Sequence, residues 1–470
     1  MQNHMENLRI AYLSLGCKVN AYETASMRNQ LEACGSRTVG FRETADVYLV
    51  NTCTVTNIAD RKSRQMLHQA KKRNPAAVVV AVGCYVQEFY KNHETDETID
   101  LLIGNRRKHE VAEILRAYLE ARANGRDFPR LHVSDDSALR TYEAMEPAAA
   151  DAKTRAYIKI QDGCNQFCSY CMIPFARGRI SSRDAEDIRS EITLLAEKGI
   201  REFVLTGIHL SSYGMDDASP REQQALCRED GRQPLLELIL SLAALPGVER
   251  LRLGSLEPRI VTEPFVKGLA AEPKVCPHFH LSLQSGCDEI LRAMNRKYTT
   301  AQYLECCRLL RTYYDQPAIT TDLIVGFPGE TEEQFEASAA FAKACGFAQM
   351  HVFPFSRRRG TAADRMSGQV SEEEKRRRER RMLAVAAELS EAYRRERIGR
   401  RTELLTEETV TVDGRAYWVG HSLEYLPTAV PATADTAGNQ RIAVEITGEN
   451  VGEYVLGRPT NAIAISKEMR

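Results

Sequence analysis

The sequence lacks a charge surplus of either sign. Lys plus Arg (63) nearly balances Asp plus Glu (64) over 470 residues, which excludes a global basic field and leaves any nucleic-acid site to a local patch. It also lacks an apolar run long enough to span a membrane. No secretory hydrophobic segment stands at Met1 to Gly16, and the thirteen cysteines are odd in number. Both features argue against a disulfide framework and for a reducing compartment, so a cytoplasmic protein with no membrane partner is expected. With 43% apolar residues the chain can fill its cores, and its length calls for two or three domains.

What is present centres on Gly163-Cys164-Asn165-Gln166-Phe167-Cys168-Ser169-Tyr170-Cys171, three thiols spaced C-x3-C-x2-C just past the strand-like run Ala156 to Ile160. Three thiolates suit a [4Fe-4S] cluster with one iron left open to a non-protein ligand. A structural zinc site would want a fourth Cys or His, and none lies between Cys171 and His209. The plain alternative is an incomplete zinc knuckle or three unrelated buried thiols. The spacing, with an aromatic at Tyr170, resembles the radical S-adenosylmethionine (radical SAM) superfamily, in which the open iron chelates the amine and carboxylate of SAM.

Residues 1–135 repeat one theme: a short apolar run, a cysteine at its carboxyl end, then a helix-like stretch. The cysteines are Cys17, Cys53 and Cys84, and the pattern reads as βαβαβ with a parallel sheet. Strand carboxyl ends line one edge of such a sheet, so the three thiols can converge there on a second iron-sulfur cluster. One such cysteine alone would read as a small buried hydrophobe. Leu15-Gly16-Cys17-Lys18-Val19-Asn20, Asn51-Thr52-Cys53-Thr54-Val55-Thr56-Asn57 and Val82-Gly83-Cys84-Tyr85-Val86-Gln87 resemble the amino-terminal domain of the radical SAM methylthiotransferases. Their wording is similar to the branch acting on N6-threonylcarbamoyladenosine rather than on isopentenyladenosine or a ribosomal-protein aspartate. Arg61, Lys62, Arg64, Lys71, Lys72 and Arg73 form a basic helix stripe, either a solvated face or an RNA-facing one.

Residues 136–154 are small, polar and aperiodic, as in an exposed linker. From 155 to 370, six strand-like stretches alternate with helix-like ones, which suggests an open (β/α)6 partial barrel with working groups at the strand carboxyl ends. Thr206 and Gly207 follow the second strand, Ser255 and Glu257 the third, and Ser282 and Gln284 the fourth. Their acceptors and donors suit ribose hydroxyls and an ammonium group. The resemblance implies that these residues, with Tyr170, an apolar contact from Val325 and Phe353 near the adenine, bind SAM. Arg177, Arg179 and Arg183 follow the cluster loop; guanidinium forks suit carboxylates, so one of them is expected to meet the carboxylate of the threonylcarbamoyl group.

A capped helix is expected over 371–399, carrying 11 basic and 7 acidic residues between Ser371 and Arg401. Its Lys375 to Arg378 run either faces phosphates or is used in intrahelical ion pairs. Short strands separated by turns over 400–470 read as a small antiparallel β-barrel, similar in position to the family's tRNA-holding TRAM module. The fold class is thus α/β with three parts. The resemblance implies an enzyme with two [4Fe-4S] clusters, one on Cys17, Cys53 and Cys84 and one on Cys164, Cys168 and Cys171. It uses SAM both as radical source and as methyl donor to cluster-bound sulfur, and adds a methylthio group at C2 of the modified adenosine at tRNA position 37. An electron donor such as flavodoxin or ferredoxin, a sulfur source and a monomeric state are expected. An iron-sulfur or zinc RNA-binding protein without catalysis is the rival from another class.

Overall fold

The computed structural model describes residues 5–134, 142–145 and 154–460. The first part comprises β1 (Arg9–Ser14), α1 (Lys18–Ala33), β2 (Arg37–Val39), β3 (Val47–Thr52), α2 (Asn57–Arg73), β4 (Val78–Gly83), α3 (Cys84–Lys91), β5 (Leu101–Ile103), α4 (Val111–Ala123) and β6 (Leu131–His132). The six strands are parallel in the order β2-β1-β3-β4-β5-β6. β3 and β4 are buried at every position, as strands covered on both faces must be. Tyr48, Val50, Val79 and Ala81 pack toward α2 and α3, and Val47, Leu49, Val78 and Val80 toward α1 and α4.

Most of the expected linker lies outside the described residues. The parts that are described, 142–145 and Thr154, are not an exposed connection, and Thr154 is itself buried. Met145 joins the core beneath α1 and α4, the Tyr142 hydroxyl donates to the Lys159 carbonyl at 3.1 Å, and Glu143 holds His109 at 2.8 Å.

The central part contains β7 (Arg155–Asp162), α5 (Ile173–Ala176), β8 (Ser181–Ser182), α6 (Ala185–Glu197), β9 (Glu202–Gly207), α7 (Pro220–Ala225), α8 (Pro234–Ala243), β10 (Arg250–Leu253), α9 (Glu263–Ala270), β11 (His278–His280), α10 (Asp288–Ala293), α11 (Thr300–Tyr313), β12 (Ala318–Val325), α12 (Glu332–Cys345) and β13 (Gln349–Pro354). Parallel β10-β9-β7, with the short β8 antiparallel on β7, and parallel β11-β12-β13 are joined by bridges Leu251 to Val275 and Leu256 to Leu281. Six strands therefore form an open arc. Alternate residues such as Ile158, Leu205, Leu251, Phe279 and Leu323 turn outward into the helices and make the main core. Their neighbours turn inward, and that inner face is polar, with Lys159, Thr206, Arg252, His280 and Asp322 among them.

α13 (Glu372–Glu396) is capped by Ser371, whose hydroxyl accepts from the Glu374 amide at 3.2 Å. Its basic run is largely used in ion pairs: Arg377 and Arg381 bind Glu332 of α12, and Arg378 binds Glu330. β14 (Arg401–Val412), β15 (Arg415–Ser422), β16 (Pro427–Pro431), β17 (Arg441–Val451) and β18 (Tyr454–Pro459) close a barrel in the order β14-β15-β16-β18-β17. Its pairings are antiparallel except β16 with β18, which is parallel. The barrel docks on the inner end of the arc. Arg250, 1% exposed, donates to the Glu403 carbonyl at 2.7 Å and carboxylate at 2.8 Å. Arg252 donates to the carbonyls of Ser422 and Leu423 and to Glu202 at 2.9 Å, and Tyr425 stacks between His278 and His421.

Burial raises the Glu202 carboxyl pKa, but Arg252 and then Arg250 outweigh it and hold it at about 2, against an ordinary 4.5. A depressed carboxyl pKa contributes stability that is complete above the unfolded value and disappears as pH falls through the folded one. Glu202→Gln is therefore expected to lower the urea midpoint at pH 7, with the gap from wild type closing between pH 4.5 and 2. Circular dichroism titrations at several pH values check this, and a gap constant across that window would contradict it.

Candidate cluster sites and the cofactor face

Cys17 follows β1 and occupies the N-cap of α1, Cys53 follows β3, and Cys84 is the first residue of α3 directly after β4. Asn20 draws the first two strand ends together: its amide donates to the carbonyls of Leu15 at 2.7 Å and Thr52 at 2.9 Å. Gly16 has φ +95°, and a Cβ there would stand 2.7 Å from Cys53 Sγ, so only glycine allows the Cys17 loop this close to the neighbouring thiol. Burial first, then Cys84 and Cys17, pushes the Cys53 thiol up to about 12. Asn105 donates to Cys84 Sγ at 3.5 Å and to the Ala176 carbonyl of the central part at 2.8 Å.

The second set lies on the loop after β7. The Cys164 amide donates to the Gly178 carbonyl at 3.1 Å, the Gln166 amide to Cys164 Sγ at 3.4 Å, and the Cys171 amide to the Cys168 carbonyl at 3.0 Å. Burial, then Cys168 and Cys171, raises the Cys164 thiol. Cys171 is pushed up to about 12 by burial and Cys168, with a smaller upward push from Cys84 across the domain boundary. Asn105, bonded to Cys84 Sγ and to the Ala176 carbonyl five residues past Cys171, ties the Cys84 end of the first set to the segment that follows the second. Among the described residues no three His, Cys, Asp or Glu side chains are gathered around the position of a single metal ion. Each set supplies three thiols whose anions repel, a donor set that fits the three protein-held corners of a four-iron cluster.

Beside the first set, where α1 meets the central part, lies a buried ionic node. Glu23 of α1 accepts from Lys159 at 2.8 Å and Arg177 at 2.9 Å, and also binds Lys108. Arg177 reaches Asp162 at 3.0 Å and Asn20 at 2.7 Å as well. Burial alone would raise the Glu23 carboxyl; Arg177, Lys108 and Lys159 hold it well below the carboxylate range. The expectation that Arg177 or Arg183 meets a substrate carboxylate is corrected here. Arg177 is 4% exposed and committed to protein carboxylates, and Arg183 is buried against Glu191 and the Tyr22 hydroxyl. Arg179 instead lies over the Phe167 ring at 4.6 Å.

Of the expected SAM-binding residues, Thr206 is buried at the end of β9, and Gly207 faces Gln161, whose Oε1 a Cβ would approach to 3.0 Å. Ser255 and Ser282 are side by side, Oγ to Oγ 2.7 Å. Gln284 has φ +67°, Tyr170 packs edge-on to Phe327 at 6.5 Å, and Phe353 is 44% exposed. Two expectations change. Val325 is fully buried in the helix-facing core, so Ile324, one residue earlier, holds the inward position, as alternation along a strand requires. The Glu257 carboxylate is not open: Arg259 binds it at 2.8 Å and carries the contact on to Gln166 of the cluster loop at 2.9 Å.

Sequence reasoning missed two residues. Arg296 donates to Cys168 Sγ at 3.3 Å, from a turn that no motif marks. His209 is held by Ser212 at 2.6 Å and through its amide by Gln161 at 2.7 Å. Its Nε2 is buried without a partner among the described residues, and burial, with Arg296 and Arg259 nearby, lowers its pKa to about 3, which keeps the ring neutral.

An open arc of six parallel strands with three thiols on the loop after its first strand defines a radical SAM core. Residues 158–342 match the Radical SAM superfamily, and residues 9–104 the Uncharacterized protein family UPF0004. The chain is 35% identical to the threonylcarbamoyladenosine tRNA methylthiotransferase MtaB of Bacillus subtilis (strain 168), over 91% of this chain and 92% of that one. It is 37% identical to the MtaB of Aquifex aeolicus (strain VF5), over 83% and 89%. A tRNA-2-methylthio-N(6)-dimethylallyladenosine synthase of Endomicrobium trichonymphae is 33% identical over 84% and 88%. The radical S-adenosylmethionine methyltransferase TsrM of Kitasatospora setae, solved with cobalamin and a [4Fe-4S] cluster, shares the fold at TM-score 0.52 and 17% identity, over 76% of this chain and 77% of that one. The chain belongs to the methylthiotransferase family of radical SAM enzymes.

Removing one side of a buried ion pair costs about 3–5 kcal/mol because the remaining charge is left unpaired. Arg177→Met is expected to destabilise the apo protein by about that much, and Arg179→Met, which loses one ring contact, by about 1 kcal/mol or less. Equal denaturant midpoints for the two variants would contradict the placement of Arg177.

Proposed function

We propose that this chain adds a methylthio group to C2 of N6-threonylcarbamoyladenosine at tRNA position 37, with Cys17, Cys53 and Cys84 holding one [4Fe-4S] cluster and Cys164, Cys168 and Cys171 the other. The observation that carries this reading is the presence of two three-thiol sets, on separate sheets, tied across one boundary by Asn105, which bonds both Cys84 Sγ and the Ala176 carbonyl just past the second set. When bound, the second cluster supplies the electron that cleaves SAM for C–H activation and the first carries the sulfur, methylated by another SAM.

The chain's own residues orient and shield. Arg296 places a guanidinium donor against Cys168 Sγ at 3.3 Å and so fixes the position of that sulfur. Neutral His209 offers its free Nε2, and the Ser255 and Ser282 hydroxyls suit the ribose or methionyl groups of SAM. Exposed Phe353 offers a flat apolar face for a base. Outside the site, Arg61, Lys62 and Lys72 of α2 are exposed and suit a phosphate backbone. The C-terminal barrel is read as a TRAM-like tRNA holder. No helix among the described residues is long and apolar enough to cross a membrane. An electron donor such as flavodoxin or ferredoxin, a separate sulfur source and a monomeric, cytoplasmic enzyme complete the proposal.

Anaerobic reconstitution is expected to give about eight iron atoms per chain. The triple variant Cys17→Ala/Cys53→Ala/Cys84→Ala should hold about four, still release 5'-deoxyadenosine from SAM, and give no methylthio nucleoside. The triple variant Cys164→Ala/Cys168→Ala/Cys171→Ala should also hold about four and release none. Nucleoside mass spectrometry of tRNA bearing threonylcarbamoyladenosine reads the product. Methylthio product from either variant would sink the two-cluster assignment.

A further inference from the structure

Lys18 follows Cys17 directly and reaches into the polar interior of the arc, where its ammonium lies 5.9 Å from the Tyr157 ring centre and 6.0 Å from that of Tyr425. The other cations around Tyr425 are matched: Arg155 binds Glu407 at 3.0 Å and Arg252 binds Glu202 at 2.9 Å. Lys18 has no carboxylate within ion-pair distance among the described residues, although it is partly buried. Among the described residues its charge is supported by ring faces, which attract a cation more weakly than an anion does, and only beyond ion-pair distance by Glu202, a carboxylate already bound by Arg250 and Arg252. The inward carboxylate Asp322 is held by His280 at 3.3 Å. The interior thus carries a spare positive charge beside the Cys17 end of the first thiol set, with the exposed faces of His351 and Phe353 on β13 in the same interior.

Resting on the proposed function, we propose that Lys18 binds the threonyl carboxylate of the modified adenosine and so selects that nucleoside over ones with uncharged N6 groups. Arg177 and Arg183 are committed to protein carboxylates, so they do not compete for this role. Arg179, stacked on Phe167, is the remaining cation of the loop and serves as the control. A buried ammonium-to-carboxylate contact requires the negative charge itself, so masking that charge should abolish the preference while leaving shape recognition intact.

The test uses the full chain with both clusters and SAM, without reductant so that nothing turns over, and measures anisotropy of three labelled anticodon stem-loops. One carries the free threonylcarbamoyl acid, one its methyl ester, and one plain adenosine. Wild type and Lys18→Arg should favour the acid over the ester by about ten- to hundredfold. Lys18→Gln, at unchanged iron content, should bind acid and ester alike, and Arg179→Gln should keep the wild-type ratio. A Lys18→Gln protein that keeps that ratio, or that weakens all three ligands equally, overturns the inference; so does loss of the ratio in Arg179→Gln alone. If wild type binds plain adenosine as well as the acid, the substrate reading itself falls, an outcome distinct from the failure of Lys18.

Discussion

Everything in this molecule depends on how Glu23 is held. A carboxylate on a helix of the first sheet is fully buried yet ionised, because Lys108 from its own part and Lys159 and Arg177 from the central part surround it. Such a node adds little net stability compared with apolar packing, but it tolerates almost no change of geometry, since any displaced partner leaves a charge unpaired in a medium of low dielectric. Its effect is registry. The edge of one sheet is fixed against the edge of another, and the two thiol sets inherit that fixed relation without sharing a single strand.

The same economy appears inside the arc. Apolar residues of the strands face the helices, and polar ones face a shared interior, so the packing that builds the core also lines the site. Most of the interior charges are matched in pairs by Glu202, Glu403 and Glu407. Dense pairing gives the interior fixed dipoles rather than mobile ones, which suits the orientation of a cofactor and a nucleoside toward each other.

The strand carboxyl ends, the cysteines that follow them in the first part and the order of elements were legible because they obey local periodicities. Cys17, Cys53 and Cys84 each end a run of apolar residues, and all six expected strands of the central part occur within a few residues of their predicted positions. What was not legible is what depends on partners far apart in the chain. Arg177 looks like a loop cation until Glu23, 154 positions earlier, is seen to occupy it, and Arg296 meets Cys168 across 128 positions. Val325 failed for a smaller reason: a motif locates a strand end well, but the choice between residues 324 and 325 is a choice of face, and one step along a strand reverses it.

The docking of the C-terminal barrel blurs a boundary that the sequence draws clearly. Arg250 and Arg252 belong to a central strand, yet their hydrogen bonds end on carbonyls of residues 403 and 421 to 423. If the barrel were to open alone, two nearly inaccessible guanidinium groups would lose these carbonyl acceptors together and be left sharing the single carboxylate of Glu202, so local opening there is tied to disruption of the arc. The two parts are separate in connectivity but form one cooperative unit in unfolding, with their least independent residues at the joint between them.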